Sequence, residues 1–320
     1  MTYPWEDPDA PIHIKTRQPV MEIFALPGPR FDLPKRRPAD ELSSALQSVD
    51  FGIVVMSHRG YSNGRLSVLL SSIPANYLVA VSSDSIAEED VEGDRIVAEH
   101  HGAAFDHSTP WGGRAANARH CMDCTKWDVT LFLCDDVWLF PEAVSDALRW
   151  FYILKAHDVP LASLALPGLE TYADHQKLGF KTWAECLARP DKFEQIGPSP
   201  RFVRTPALFK NPFGAAMVLS REAYNDLGGF ATNYWAHDDV YNHKIWTSDR
   251  WVAAAYPGRG YMHLGAQSWH HGESVEYVGE FKDATGMTAD ESGDLQVKSI
   301  YRWMEKLGPI FRKLGGTPGV

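Results

Sequence analysis

The stretch Leu131 to Pro141 reads LFLCDDVWLFP, an apolar run that stops at two adjacent aspartates and resumes at a tryptophan. The run before the pair is that of a strand covered on both faces. Pro141 and Glu142 after it suit the first turn of a helix. Two carboxylates side by side at the edge of an apolar segment oppose each other's ionisation, and each resists leaving water. Two arrangements tolerate them. One is a divalent cation held with substrate phosphates, because Mg2+ and Mn2+ prefer carboxylate oxygen. The other is a solvated turn in which one aspartate caps the following helix. The pair alone does not separate these.

Working outward on the N-terminal side, FGIVVMS (Phe51 to Ser57) is another continuous apolar run, and NYLVAVSSDS is a third that ends at Asp84. Between them NGRLSVLLSSI has helical periodicity, GDRIVAEHHG carries a short element, and GGRAANARHCMDCTKW opens an alanine-rich helix on two glycines. PEAVSDALRWFYILKAH follows the aspartate pair as a further helix. Strands alternating with helices specify an α/β fold with a mainly parallel central sheet. Ligands of such sheets bind beyond the carboxyl ends of the strands, where Ser57, Asp84 and the Asp135–Asp136 pair all fall.

On the C-terminal side, residues 166–204 read as a long excursion of the kind used for lids and acceptor-binding segments. NPFGAAMVLSREAYNDLGGF then gives a strand, a helix and a Gly-Gly turn, followed by aromatics around His237-Asp238-Asp239, a further helix, and YMHLGAQSWHHG. Three regions are expected: a proline- and charge-rich arm over 1–48 with one short helix at ADELSSALQSV, a domain over 49–275, and a C-terminal tail over 276–320 built on the amphipathic LQVKSIYRWMEKLGPIFRKL.

At 320 residues and 44% hydrophobic, the chain can bury a large core. Lys plus Arg total 31 against 41 Asp plus Glu, a net charge of -10, which disfavours nucleic acid as a partner without excluding it. An anionic ligand must then be met locally, by helix N-termini, a few arginines or a bound cation. No run approaches the roughly 20 apolar residues of a membrane span, and MTYPWEDPDAP lacks the regions of a signal peptide, so a cytoplasmic protein is expected. Of 4 cysteines, Cys121 and Cys124 form one CxxC with no second pair, a weak zinc signal; free, partly buried thiols are expected. The 11 Trp and 12 Tyr offer flat faces for sugars and bases, though core packing uses such rings too.

In order and spacing these segments resemble the inverting glycosyltransferases of GT-A fold, family 2 in particular, over roughly Gly52 to His271. IVVMSHRGYSNGRLSVLLSSI is similar to the family's first strand and helix, and LVAVSSDS to its second strand. GGRAANARH is similar to its glycine-alanine-asparagine helix, and LFLCDDVWLFPEAV to the segment with the metal-binding DxD motif. NPFGAAMVLSREAYNDLGGFATNYWAHDDV resembles the stretch leading to the catalytic base, and HLGAQS the late His-x-x-x-x-Ser.

The resemblance implies a sugar nucleotide, most simply a UDP-sugar, lying along the carboxyl edge near Ser57, Arg59 and Asp84, with Arg114, Asn117, Asp135, Trp235, Ser268 and Trp269 as further contacts. It implies Mn2+ or Mg2+ on Asp136 and His263, and Asp239, or its neighbour Asp238, as the base that activates an acceptor hydroxyl. The acceptor class, whether glycan, protein or modified nucleobase, stays open. Cys134 stands at the first DxD position, where a hard cation finds a poor ligand.

Each assignment has a plainer counterpart. Asp84 can end a strand in the turn SSDS, Asp238 can cap the helix DVYNHKIW, and His263 can be a core histidine. Arg114 can be a surface residue on an alanine-rich helix, and Trp235 and Trp269 can be core aromatics. Two other functions fit the same expected fold: a non-catalytic sugar-nucleotide or carbohydrate binder, and a nucleotidyltransferase, although SHRGYSNGR is a poor match to the glycine-rich basic loop of the latter.

Overall fold

The computed structural model describes residues 51–58, 60–61, 64–85, 87–108, 113–170, 207–208, 216–230, 237–257, 260–263 and 285–316; at 113–116, 169–170, 237–239, 262–263, 289–290 and 292–293 only the backbone is considered. The N-terminal arm with its expected short helix, the body of the 166–204 excursion, and Arg59, Trp235, Ser268 and Trp269 lie outside the described residues.

In chain order the elements are β1 (Phe51–Ser57), α1 (Arg65–Ser72), β2 (Val79–Ser83), α2 (Glu88–His100), β3 (Ala104–His107), α3 (Gly113–Cys124), β4 (Val129–Cys134), β5 (Val137–Leu139), α4 (Ala143–Ala156), β6 (Leu161–Ala165), β7 (Gly168–Glu170), β8 (Ala207–Leu208), β9 (Ala216–Ser220), α5 (Arg221–Asp226), α6 (His237–Thr247), β10 (Val252–Ala255), β11 (Tyr261–His263) and α7 (Ala289–Lys313). Eight strands form one sheet in the order β3-β2-β1-β4-β9-β6-β10-β8, and β5-β11-β7 form a second, small one. In the large sheet β3, β2, β1 and β4 are parallel neighbours and β6 is parallel to β10, whereas β9 and β8 run against their partners. The expected mainly parallel α/β sheet is therefore present.

The continuous apolar runs behave as read. All seven residues of β1 and all six of β4 are buried, with Ile53, Leu131 and Leu133 fully so. Burial on both faces is what removes the polar alternation from these strands, and each such side chain contributes about 1.5–3 kcal/mol of transfer free energy. The element at GDRIVAEHHG proves to be the end of the 13-residue α2. The chain then makes β3, an edge strand of sequence AFDH with little apolar content, which periodicity does not reveal. Pro141 and Glu142 form a turn and the helix α4 starts at Ala143, two residues later than the proline signal places it. The Gly-Gly turn after α5 has Gly228 at φ 76° and Gly229 at φ 66°, left-handed conformations that glycine adopts without cost.

The amphipathic C-terminal segment forms α7, 25 residues long, opened by a capping box in which Thr288 and Glu291 satisfy each other's backbone N–H groups. Its apolar stripe is docked: Trp303, Leu307 and Phe311 belong to the same hydrophobic core as β1 and β4. Among the described residues no helix is long and apolar enough to cross a membrane.

Candidate functional site

β1 and β4 lie side by side in parallel, with Met56 opposite Cys134, and β2 flanks β1 with Ser83 opposite Ser57. Residues that follow these three strands therefore emerge at one edge: His58 after β1, Asp84 after β2, Asp135 and Asp136 after β4. Cys134 itself stays inside, buried in the core, so the odd member of the acidic triplet is a packing residue of the last strand position.

Asp135 is turned back into the protein. Its Oδ2 accepts from the backbone N–H of His58 at 3.0 Å and lies 3.3 Å from the Ser57 hydroxyl oxygen, while Oδ1 lies 3.8 Å from the guanidinium of the buried Arg65. Burial is the main influence on this carboxyl; it pushes the pKa up to about 6, with the Asp136 charge adding to the rise and Arg65 opposing it. Gly60 makes the arrangement possible, because a Cβ there would sit 2.3 Å from Ser57 Oγ and 3.0 Å from Asp135 Oδ2. Asp136, by contrast, is half-buried at the strand end.

Asp84 is buried, and its backbone N–H extends the β-ladder to Ser57 O at 3.1 Å. Its Oδ1 stands 2.8 Å from His58 Nδ1. Behind both sits Asp94, from α2, with no solvent exposure. Its Oδ2 accepts from the hydroxyls of Ser57 (3.0 Å), Ser83 (2.7 Å) and Ser85 (3.3 Å), and its Oδ1 from the N–H of Tyr61 at 2.7 Å. Burial raises this carboxyl above the usual range despite the four donors. Asp94 thereby ties the ends of β1 and β2 to the loop that follows β1.

The predicted positions divide accordingly. Ser57 is fully buried with its hydroxyl directed at Asp94, so it positions the edge from behind. Asn117, on α3, is likewise buried: its Oδ1 accepts from Ser82 Oγ at 2.7 Å and Ser108 Oγ at 3.3 Å, fixing the helix to the sheet. Arg114 lies in the first turn of the same helix. Asp84, Asp135 and Asp136 share the edge. His263 closes β11, and its register partner in β5 is Val137, the residue directly after Asp136. Chain segments 127 residues apart thus meet at the two expected metal ligands. Asp238 and Asp239 lie inside the first turn of α6, which begins at His237, so Asp238 is not the residue preceding the helix. A helix N-terminus favours carboxylates in that turn.

Three groups of the edge escape sequence reading: His58, Arg65 and Asp94. His58 stands in the SHRG turn directly after β1, and a histidine at a strand terminus was the available signal. Asp94 and Arg65 fall among the polar residues of ordinary surface helices and give none.

Asp136, half-buried at the strand end, offers the hard carboxylate oxygen that Mg2+ or Mn2+ prefers.

No protein-family model matches the chain, and no curated protein matches it in sequence. Among solved structures, S. aureus TarS 1–349 in complex with UDP is similar at TM-score 0.51 and 11% identity, with 80% of this chain and 72% of that chain covered. The same protein in complex with UDP-GlcNAc gives TM-score 0.51, 11% identity and the same 80% and 72% coverage. At this identity the likeness shows the fold, which is the GT-A fold expected from the ordered motifs.

Proposed function

We propose that this chain is a metal-dependent, inverting glycosyltransferase that moves a sugar from a nucleotide-diphosphate sugar to an acceptor hydroxyl. The observation that supports the reading is the β5–β11 pairing, whose backbone register sets His263 opposite Val137, the residue after Asp136 in the strand that follows the Asp135–Asp136 turn. The complexes of the TarS fold relative with UDP and UDP-GlcNAc make a UDP-sugar the first donor to test.

In this reading the nucleotide base lies against Asp84, whose carboxylate can accept from the imide N–H of uracil while His58 holds its other side. Asp136 and His263 would hold Mn2+ or Mg2+, which when bound offsets the negative charge that grows on the leaving diphosphate. Asp135, Arg65 and Gly60 set the shape of the turn under the diphosphate. Asp239 takes the proton of the acceptor hydroxyl as that oxygen attacks the anomeric carbon from the face opposite the diphosphate, so one displacement inverts the centre. Its place in the first turn of α6 supports a carboxylate that is charged and ready to accept.

The deciding experiment is a binding and turnover screen of sugar nucleotides, UDP-GlcNAc first, with and without Mn2+, on the wild type and Asp239→Asn. A transferase binds a donor in both forms and turns it over only in the wild type. A binding protein of the same fold shows binding and no turnover in either. Absence of binding to every sugar nucleotide in the presence of Mn2+ rejects the reading.

A further inference from the structure

A cluster of side chains of metal-ligating type stands on the outer flank of the sheet, at the edge strand β3, where Asp106 is in register with Ser82 of β2. Asp106 comes from the edge strand β3, and His120 and Cys124 from the last two turns of α3. The helical i, i+4 spacing puts the imidazole and the thiol on one face, and β3 presents the carboxylate to them. Asp106 Oδ2 is 2.9 Å from His120 Nε2 and 3.4 Å from Cys124 Sγ, and Sγ is 3.4 Å from Nε2. A tetrahedral zinc with O and N ligands at about 2.0–2.1 Å and sulfur at about 2.3 Å separates its ligand atoms by about 3.3–3.6 Å. The three distances sit close to that triangle without any ion. Asp106 Oδ1 is engaged by the N–H of His107 at 2.9 Å, which orients the carboxylate and leaves Oδ2 to the cluster. Cys124 is a free thiol at the surface, and among the described residues no other such trio is found.

The geometry points to a zinc-type site formed by Asp106, His120 and Cys124, with the fourth position open to solvent. Mixed O, N and S donors select a borderline-soft ion. On binding, Cys124 coordinates as the thiolate and its proton passes to water, so one proton is released per metal bound. The ion would clip the edge strand to the end of α3, a helix whose C-terminal carbonyls are already held by Arg221 through Met122 O and, at 2.7 Å, Thr125 O. The same helix carries the buried Asn117 under the candidate site, so the clip fixes its position from the far end.

Titration of the full, metal-free chain with Co2+ tests this directly. The expected result is a sulfur-to-cobalt charge-transfer absorption that Zn2+ abolishes by displacement. It should be absent in Cys124→Ser and present unchanged in Asp136→Asn, while His120→Ala and Asp106→Ala weaken binding by roughly tenfold or more. Both Cys124 and Asp106 are exposed, so these variants should keep the wild-type circular dichroism spectrum. Absence of a thiolate band in the wild type, or a band that survives Cys124→Ser, overturns the assignment.

Discussion

Replacing Asp135 by asparagine keeps the shape of the side chain and an oxygen for the His58 N–H, and removes only the option of ionising. The folded environment holds this carboxyl's pKa at about 6 against an ordinary 3.8, with burial the leading cause. A shift of about two units corresponds to on the order of 3 kcal/mol. The sign follows from the direction. A raised folded pKa favours the protonated form, so the contribution is fully present below the ordinary value and is lost as pH rises through about 6. Asparagine imitates the protonated state at every pH. The variant should therefore exceed the wild type by about 1 kcal/mol near pH 4.5 and by up to about 3 kcal/mol at pH 8. Urea denaturation of the metal-free proteins at the two pH values measures this. A stability difference that does not change with pH, or a variant that is the less stable at pH 8, refutes the reasoning that the fold works against charge at this edge. Adding Mn2+ at pH 8 should narrow the gap by stabilising the wild type.

Other parts of the structure give sharper, smaller tests. Asp136→Asn should abolish the Mn2+-induced rise in melting temperature, which for a wild-type site at 100 times its Kd is worth about 2.7 kcal/mol. Gly60→Ala forces a Cβ to within 2.3 Å of Ser57 Oγ; a cost of about 1–3 kcal/mol is expected in chemical denaturation, together with weaker donor binding in calorimetry. Asp94→Ala strips three hydroxyls and one N–H of their shared acceptor, and a loss of about 1–3 kcal/mol or more should appear as a lowered denaturation midpoint. Phe311→Ala, at a fully buried position of α7, should cost about 3–5 kcal/mol; a loss under 1 kcal/mol in the same assay would mean that the C-terminal helix is not integral to the core.

The large sheet was legible because its central strands are buried on both faces, and such strands must be written as unbroken apolar runs. FGIVVMS and VTLFLC could hardly be anything else. The edge strand AFDH escaped for the complementary reason: with one neighbour and solvent beyond it, β3 has no need of an apolar pattern. Helix α2 was hidden in part because its first turn is Glu88, Glu89 and Asp90, residues that suit a helix N-terminus electrostatically but carry no hydrophobic period.

The site was legible only where polar groups interrupt those apolar runs. Asp84 and the Asp135–Asp136 pair announce themselves because a strand-end carboxylate has no packing reason to be there. Asp94 makes more hydrogen bonds to this edge than any of them, yet lies in the sequence EGDRIVAEH as one more charge on a charged helix. Its role exists only because α2 packs against the strand ends and delivers one carboxylate to four donors from β1, β2 and the loops that follow them. The proposed metal pair has the same character. Asp136 and His263 are separated by 127 residues, and nothing local to either predicts the other; the three-residue pairing of Tyr261, Met262 and His263 with Leu139, Trp138 and Val137 joins them. A one-residue slip in that short ladder would put Met262 where His263 stands and reverse the faces of both. The specificity of the proposed metal site therefore rests on a register held by three residues, and the buried flanks Val137, Leu139 and Tyr261 are what hold it.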